Sequence, residues 1–220
     1  NDYQYRQGKS VDGIYGLEAL GLFQDVTEIA NSPVQKYSEA KPGDIKYKEQ
    51  NDDHMIDAKD QVRIGNSQAR FSYGLNLLLK YGNLSLMATG DGRSGYQYLQ
   101  RGEYFWVEGN DKYSAEVLNR WTPETAATAT YPRLSSQAST NNHQSSTYWL
   151  KNGNYFSLNR VQLTYDVPKS IIKNWASKDI SIYVRGSNLG MWSANSYQRQ
   201  LNIGAEPDYR NYVLGVNLLF

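Results

Sequence analysis

Residues 70–81, RFSYGLNLLLKY, alternate without a break. Phe71, Tyr73, Leu75, Leu77, Leu79 and Tyr81 fall on one side, and Arg70, Ser72, Gly74, Asn76, Leu78 and Lys80 on the other. A period of two over this length specifies an extended strand. One face is wholly apolar with an aromatic residue at each end, while the other is polar and charged. The link Tyr81-Gly82-Asn83 reads as a tight hairpin turn. The pattern then resumes with Leu84, Leu86 and Ala88 against Ser85, Met87 and Thr89, so residues 70–89 are expected to form a hairpin.

The same alternation recurs downstream. In residues 156–167, FSLNRVQLTYDV, Val161, Leu163, Tyr165 and Val167 alternate with Arg160, Gln162, Thr164 and Asp166. Pro168 ends the run because it cannot donate to a ladder. Residues 170–178, SIIKNWASK, suit a helical turn or a broad hairpin. A further strand covers 179–189, and a last one runs from 211 to 220. Five clear strands result. Soluble strands average about five to six residues, whereas membrane-spanning strands need roughly 9–11, and these are on the long side. Between them, residues 90–154 show little alternation and many Gly, Ser, Thr and Asn, a length of loop uncommon in a compact soluble domain and ordinary for the outer loops of a membrane barrel.

Composition supports two all-β readings. The 220 residues carry 19 Tyr against 5 Phe and 5 Trp. Tyrosine, apolar in its ring and polar at its tip, suits half-wet surfaces, whether a sugar-binding β-sandwich or the aromatic girdles of a transmembrane barrel. Mean hydropathy is low, but a barrel strand shows lipid only half of its residues. Lys+Arg number 23 and Asp+Glu 22, a balance that argues against a nucleic-acid partner. The absence of cysteine excludes disulfides and thiolate metal sites. No run approaches the apolar length of a transmembrane helix, and NDYQYRQGKSVDG at the start has no signal-peptide core, as expected of a cytosolic, mature or partial chain.

The densest charged motif is residues 43–60, GDIKYKEQNDDHMIDAKD. Its oxygen-bearing residues resemble an EF-hand-type calcium loop: Glu49, Asn51, Asp53, Met55 through its carbonyl, Asp57 and Asp60 occupy the alternating ligand positions of such a loop, and Ile56 holds the position that points to the core. His54 stands where the loop has its glycine, and Glu49 where it has its first aspartate. The competing reading is a solvated acidic loop held by its own Asx turns. His54 and His143 form no metal or catalytic pattern with each other. Cysteine nucleophile, G-x-S-x-G and P-loop motifs are all missing. Asp91 with Asp111, or Glu103 with Glu108, is the nearest approach to a glycosidase acid pair, and loop acids of this kind are ordinarily solvated. A non-enzyme is expected.

Residues 42–76, PGDIKYKEQNDDHMIDAKDQVRIGNSQARFSYGLN, resemble a segment near the C-terminus of SusC/RagA-type TonB-dependent outer-membrane transporters. The match rests on Pro42, Gly43, Asp44, Lys46, Tyr47, Asn51, Asp53, Ile56, Asp57, Asp60, Ile64, Gly65, Phe71, Tyr73, Gly74 and Asn76. It continues through TYPRLS (130–135), YWLKNGNYFSLNRVQLTYDVPKSII (148–172) and IYVRGSNLGMWS (182–193), and is preceded by GKSVDGIYGLEALGLFQDVTEI (8–29). Ala69 replaces the family's proline before the Phe71 strand.

The resemblance implies the C-terminal portion of a large barrel of about 22 strands, lying in the bacterial outer membrane and in contact with its lipid. It also implies import of oligosaccharides or peptides, with a SusD-like surface lipoprotein as lid and TonB engaging a plug outside this chain. On that reading residues 1–69 are a strand and loop region holding the acidic loop 43–60. Residues 70–89 are a hairpin, 90–154 a long loop region, and 155–220 the last three strands, whose edges pair with the rest of the barrel. Tyr104, Phe105, Trp106, Trp121, Tyr148 and Trp149 become candidates for contact with substrate or lid; the alternative is that they pack the loops against one another. Trp192 follows a strand as an interface anchor. Tyr212, Leu214, Val216, Leu218 and Phe220 form the terminal row that resembles the signal read by barrel-assembly machinery, as expected of a chain complete at this end and cut at the other. The rival reading is a soluble carbohydrate-binding β-sandwich, for which EYFWVEGNDKY (103–113) has suitable residues.

Overall fold

The computed structural model describes residues 7–109, 113–136, 140–173, 178–193, 195 and 208–220. In chain order the strands are β1 (Gly13–Gly16), β2 (Ala19–Leu22), β3 (Val34–Gln35), β4 (Ile45–Tyr47), β5 (Met55–Ile56), β6 (Val62–Asn66), β7 (Phe71–Tyr81), β8 (Leu84–Ser94), β9 (Gln97–Leu99), β10 (Leu150–Asn152), β11 (Tyr155–Asp166), β12 (Asp179–Trp192) and β13 (Asn211–Leu219). Two short helices, α1 (Val26–Ala30) and α2 (Lys169–Ile172), complete the set. The chain forms two compact units, one from residues 1–68 and 97–151, the other from 69–96 and 152–220.

The second unit is a five-stranded antiparallel sheet in the order β13-β12-β11-β8-β7. Its strands run 9 to 14 residues. The register joins like with like. Leu77, Ala88, Val161, Gly186 and Tyr212 lie on one cross-strand row. The adjacent row, Asn76, Thr89, Arg160, Ser187 and Asn211, points to the opposite face. The apolar face is uncovered: Leu75, Leu77, Leu79, Leu163, Ile182, Val184, Leu214, Val216 and Leu218 are all exposed. A sandwich buries one face of each sheet against a second sheet. This sheet has no second layer among the described residues of its unit.

Aromatic rings gather at one end of the apolar face. Tyr73 stacks on Phe156 with ring centroids 6.3 Å apart, and Phe156 stacks on Trp192 at 5.9 Å. Tyr81 and Tyr165 mark the opposite end, each paired in register with Leu84. Trp192 is the last residue of β12 rather than a residue beyond it, because the strand continues past the expected end at 189. β8 likewise runs to Ser94, five residues beyond the expected 89. There the apolar row is carried by Gly90 and Gly92, which look like loop residues in one dimension. The space above them belongs to neighbouring rings: a Cβ on Gly92 would lie 2.4 Å from the Tyr73 ring. Pro168 precedes α2, so the segment after β11 begins with a helical turn; the rest of that segment, including Trp175, lies outside the described residues.

The first unit is built from short pairs: β1 with β6, β2 with β4, β9 with β10, and the parallel pair β3 with β5. Its core gathers Leu17, Ile45, Tyr47, Ile56, Val107, Val117, Tyr131 and Trp149. Residues 97–151, expected to be loop, therefore contribute half of a packed core. They show little periodicity because they are held by side-chain hydrogen bonds and aromatic contacts instead of long ladders.

Candidate functional site

The Pro42-Gly43-Asp44 motif organises the first unit. Gly43 has φ +87, and a Cβ there would lie 2.6 Å from the Trp121 ring, so glycine is required on both counts. Its N–H donates to the Phe23 carbonyl at 2.7 Å, and Phe23 N–H donates to the Asp44 carbonyl at 2.9 Å. The Asp44 carboxylate is fully buried. It accepts from the Lys41 N–H at 2.8 Å, from Asn142 Nδ2 at 2.9 Å and from Arg133 Nη2 at 3.2 Å. Arg133 Nε also lies 2.8 Å from Asp44 Oδ1, an ion pair by distance that is not aligned as a hydrogen bond.

An Asn141-Asn142 doublet completes this clasp. Asn142 Oδ1 accepts from the Ile45 N–H at 2.8 Å, and Asn141 Nδ2 donates to the Ile45 carbonyl at 3.1 Å. Gln35 bridges the Asn141 side chain and the Tyr47 N–H. Tyr47 donates its hydroxyl to the Asn141 carbonyl at 2.7 Å, and burial pushes this phenol above its ordinary range. Buried polar groups are inexpensive only when partnered, and here the partners come from segments far apart in sequence. Gln35, Arg133, Asn141 and Asn142 were not legible as a group. Arg133 lies in the family-like phrase TYPRLS, but an Asn-Asn doublet in a Ser/Thr-rich stretch reads only as loop.

The acidic stretch closes on itself through its own hydrogen bonds, as in the Asx-turn reading of the loop. Asp60, fully buried, accepts from the Gln50 N–H and the Asp57 N–H, each at 2.8 Å. Asp57 accepts from the Lys59 N–H at 2.7 Å, forming a reciprocal capping box on the 3-10 turn Ala58–Asp60. Asp53 accepts from the Met55 N–H, and Asn51 from the Asp53 N–H. His54 adopts φ +57 and supplies the sharp turn that a glycine would make. One oxygen of Glu49 is buried without a hydrogen-bond partner. Even so, no three of the carboxylates and histidines described come together to hold a metal ion, because their oxygens are aimed at backbone N–H groups of the same loop. The expected result is that Asp57→Ala destabilises the first unit by about 1 kcal/mol through loss of a cap. Adding calcium or a chelator should leave the amide exchange of residues 50–60 unchanged if the loop is held by its own hydrogen bonds alone. Calcium-dependent protection there would establish the ion site.

The six loop aromatics divide. Trp149 is only 3% exposed, donates Nε1 to the Asn142 carbonyl at 2.8 Å, and meets Tyr131 and Tyr148 edge-on. It is a core residue, in keeping with the alternative that the loop aromatics pack the loops against one another. Phe105, Trp106 and Tyr148 pack against the core while staying part-exposed. Trp106 stacks on His143 with centroids 5.3 Å apart, and His143 Nδ1 lies 2.9 Å from Glu108. Tyr104 meets Phe105 edge-on, and Trp121 covers Gly43. The hydroxyl of Tyr148 donates to the Thr130 carbonyl at 2.7 Å, and burial raises its phenol above the ordinary range. The ring flanks an open groove of about 410 Å³ bordered by Gly21, Gln24, Ala127 and Lys151. Glu103 and Glu108 do not form a pair among the described contacts. Glu108 faces His143, Glu103 is solvent-exposed, and Asp91 accepts from Tyr155 and Asn159 on the polar face of the sheet. Asp111 lies outside the described residues.

Long antiparallel strands, an uncovered apolar face edged by aromatics and a polar opposite face define a segment of a transmembrane β-barrel. In sequence, the chain is 28% identical over 97% of its length to TonB-dependent receptor P26 of Formosa agariphila, of which it covers 23%. In structure, it aligns over 94% of its length with the RagAB peptide importer in the "open-open" state, at TM-score 0.66 and 20% identity. It aligns over 94% with the "closed-closed" state at TM-score 0.63, again with 20% identity. It spans 22% and 23% of those chains, respectively, and so less than a quarter of the relatives it matches. No family model matches the chain. By sequence likeness and by fold, the chain resembles a portion of a SusC/RagA-type TonB-dependent transporter, and its all-β architecture is that of the barrel.

Proposed function

We propose that this chain is part of an outer-membrane active importer of oligosaccharides or peptides, energised by TonB and working with a SusD-like lipoprotein. The observation that carries the reading is the five-stranded sheet: its strands are long enough to cross a bilayer, and its apolar face is bare. Tyr212, Leu214, Val216, Leu218 and Phe220 contribute a lipid-facing row to that face, all of them exposed. Tyr104, Phe105, Trp106, Trp121 and Tyr148 are the contact candidates for cargo or lipoprotein, with Tyr148 the best placed because its pinned ring flanks a groove. The likeness to a peptide importer supports this class, and so does the relation to a TonB-dependent receptor. Neither selects between sugar and peptide. Import without bond making or breaking needs no catalytic residues.

The test is disruption of the full-length gene, followed by uptake of labelled oligosaccharide and peptide mixtures with and without a protonophore. Loss of protonophore-sensitive uptake of one mixture is expected. Unchanged uptake of both mixtures, or recovery of the intact protein in the soluble fraction, would overturn the proposal.

A further inference from the structure

On the polar face of the sheet one guanidinium is held in a fixed pose. Arg185 donates Nε to Gln162 Oε1 at 2.9 Å, and its guanidinium carbon lies 5.0 Å from the centre of the Tyr183 ring. Gln162 is in turn tied to Thr164 Oγ1 at 3.0 Å. Arg160 stands diagonally across β11 and β12 on the same face, about 7–8 Å from Arg185 by sheet geometry. Neither arginine makes an ion pair among the described residues. Among the described residues the nearest acid of this face is Asp91, diagonal to Arg160 across β8 and β11. Asp91 is engaged by Tyr155 and Asn159. Asp166 pairs in register with Ser181, four residues from Arg185 and so about 13 Å along the strand.

We propose that Arg185, backed by Arg160, forms a carboxylate-binding site on the inner wall of the barrel. Its occupant is an acidic side chain from the part of the transporter that this chain does not include. The proposal rests on the barrel reading, which makes the polar face the lumen wall. Three observations favour this occupant. The chain covers only 23% of its curated relative, and barrels of this size have a plugged lumen. Neither cation has an ion-pair partner among the described residues, which leaves room beside them for a further carboxylate. The fork of Arg185 is set by Gln162 and Tyr183, and a planar guanidinium in one orientation suits a carboxylate that returns to one place, received bidentately.

The experiment uses the complete transporter, extracted from outer membranes in detergent, and follows thermolysin cleavage of its lumen domain. Arg185→Glu is expected to speed that cleavage roughly tenfold by exposing the domain more often. Arg185→Lys should fall between the two, since it keeps the charge and loses the fork. Lys80→Gln, on the same face, serves as control and should match wild type. If Arg185→Glu does not assemble, the Arg160→Gln/Arg185→Gln double variant is read instead. Wild-type cleavage in these variants overturns the inference while leaving the importer reading intact. Unchanged cleavage with a selective loss of carboxylate-bearing over neutral cargo also overturns it, by assigning the site to cargo.

Discussion

Leu77→Arg in the full-length protein is expected to destabilise the folded barrel by about 2–4 kcal/mol, the cost of a cation at the bilayer midplane. Leu77 is the middle of the apolar row of β7, with Phe71 and Tyr81 at the ends. Arginine at either end should cost only about 0–1 kcal/mol, since the side chain there reaches the headgroups. Asn76→Arg, one residue away on the polar face, should be close to neutral. Urea midpoints of protein refolded into phosphatidylcholine vesicles measure all four variants. The graded profile is the decisive feature. A row covered by a second protein layer would penalise positions 71, 77 and 81 by their packing, without the fall toward both ends.

Asp44→Ala is expected to cost the first unit about 3–5 kcal/mol, the range for breaking a buried ion pair by removing one partner. The loss leaves Asn142 Nδ2, the Lys41 N–H and Arg133 without their shared acceptor. Arg133 is partly exposed and can turn toward water, so Arg133→Ala should cost less than Asp44→Ala. Amide exchange at Ile45 and Tyr47 in the full-length protein reports both. A loss under about 1 kcal/mol for Asp44→Ala would mean that the pair behaves as a surface salt bridge and that the clasp depends on the asparagines alone.

The sheet was legible because strand alternation is local. Residues 70–81, 156–167, 179–189 and 211–220 each declare a face by their own sequence, and the register matches those faces across all five strands. What alternation missed at Gly90 and Gly92 was missed for a physical reason: the apolar cover there belongs to Tyr73 and Phe156, on other strands. The first unit was nearly illegible. Its core depends on contacts such as Ile45 with Asn141 and Asn142, which no periodicity announces. The PGD motif was visible as a resemblance, but its role as a buried anchor for Arg133 and Asn142 needed the third dimension. The acidic loop is a different case: the spacing of its oxygens suits a cation, and the same spacing suits the capping box seen at Asp57 and Asp60.

The division of the chain also sets an order of assembly. The β7–β8 hairpin is made between the two stretches that form the first unit, and the bonds that close that unit join residues 96 and 106 positions apart, Asn141 to Ile45 and Gln35 to Asn141. Contacts of such long range form slowly. The hairpin joins residues adjacent in sequence and can zip while residues 7–68 still lack their partner segment. Mutations at Asn141 or Asn142 should therefore act late, lengthening the life of a species whose sheet strands have paired and whose loop unit is still open.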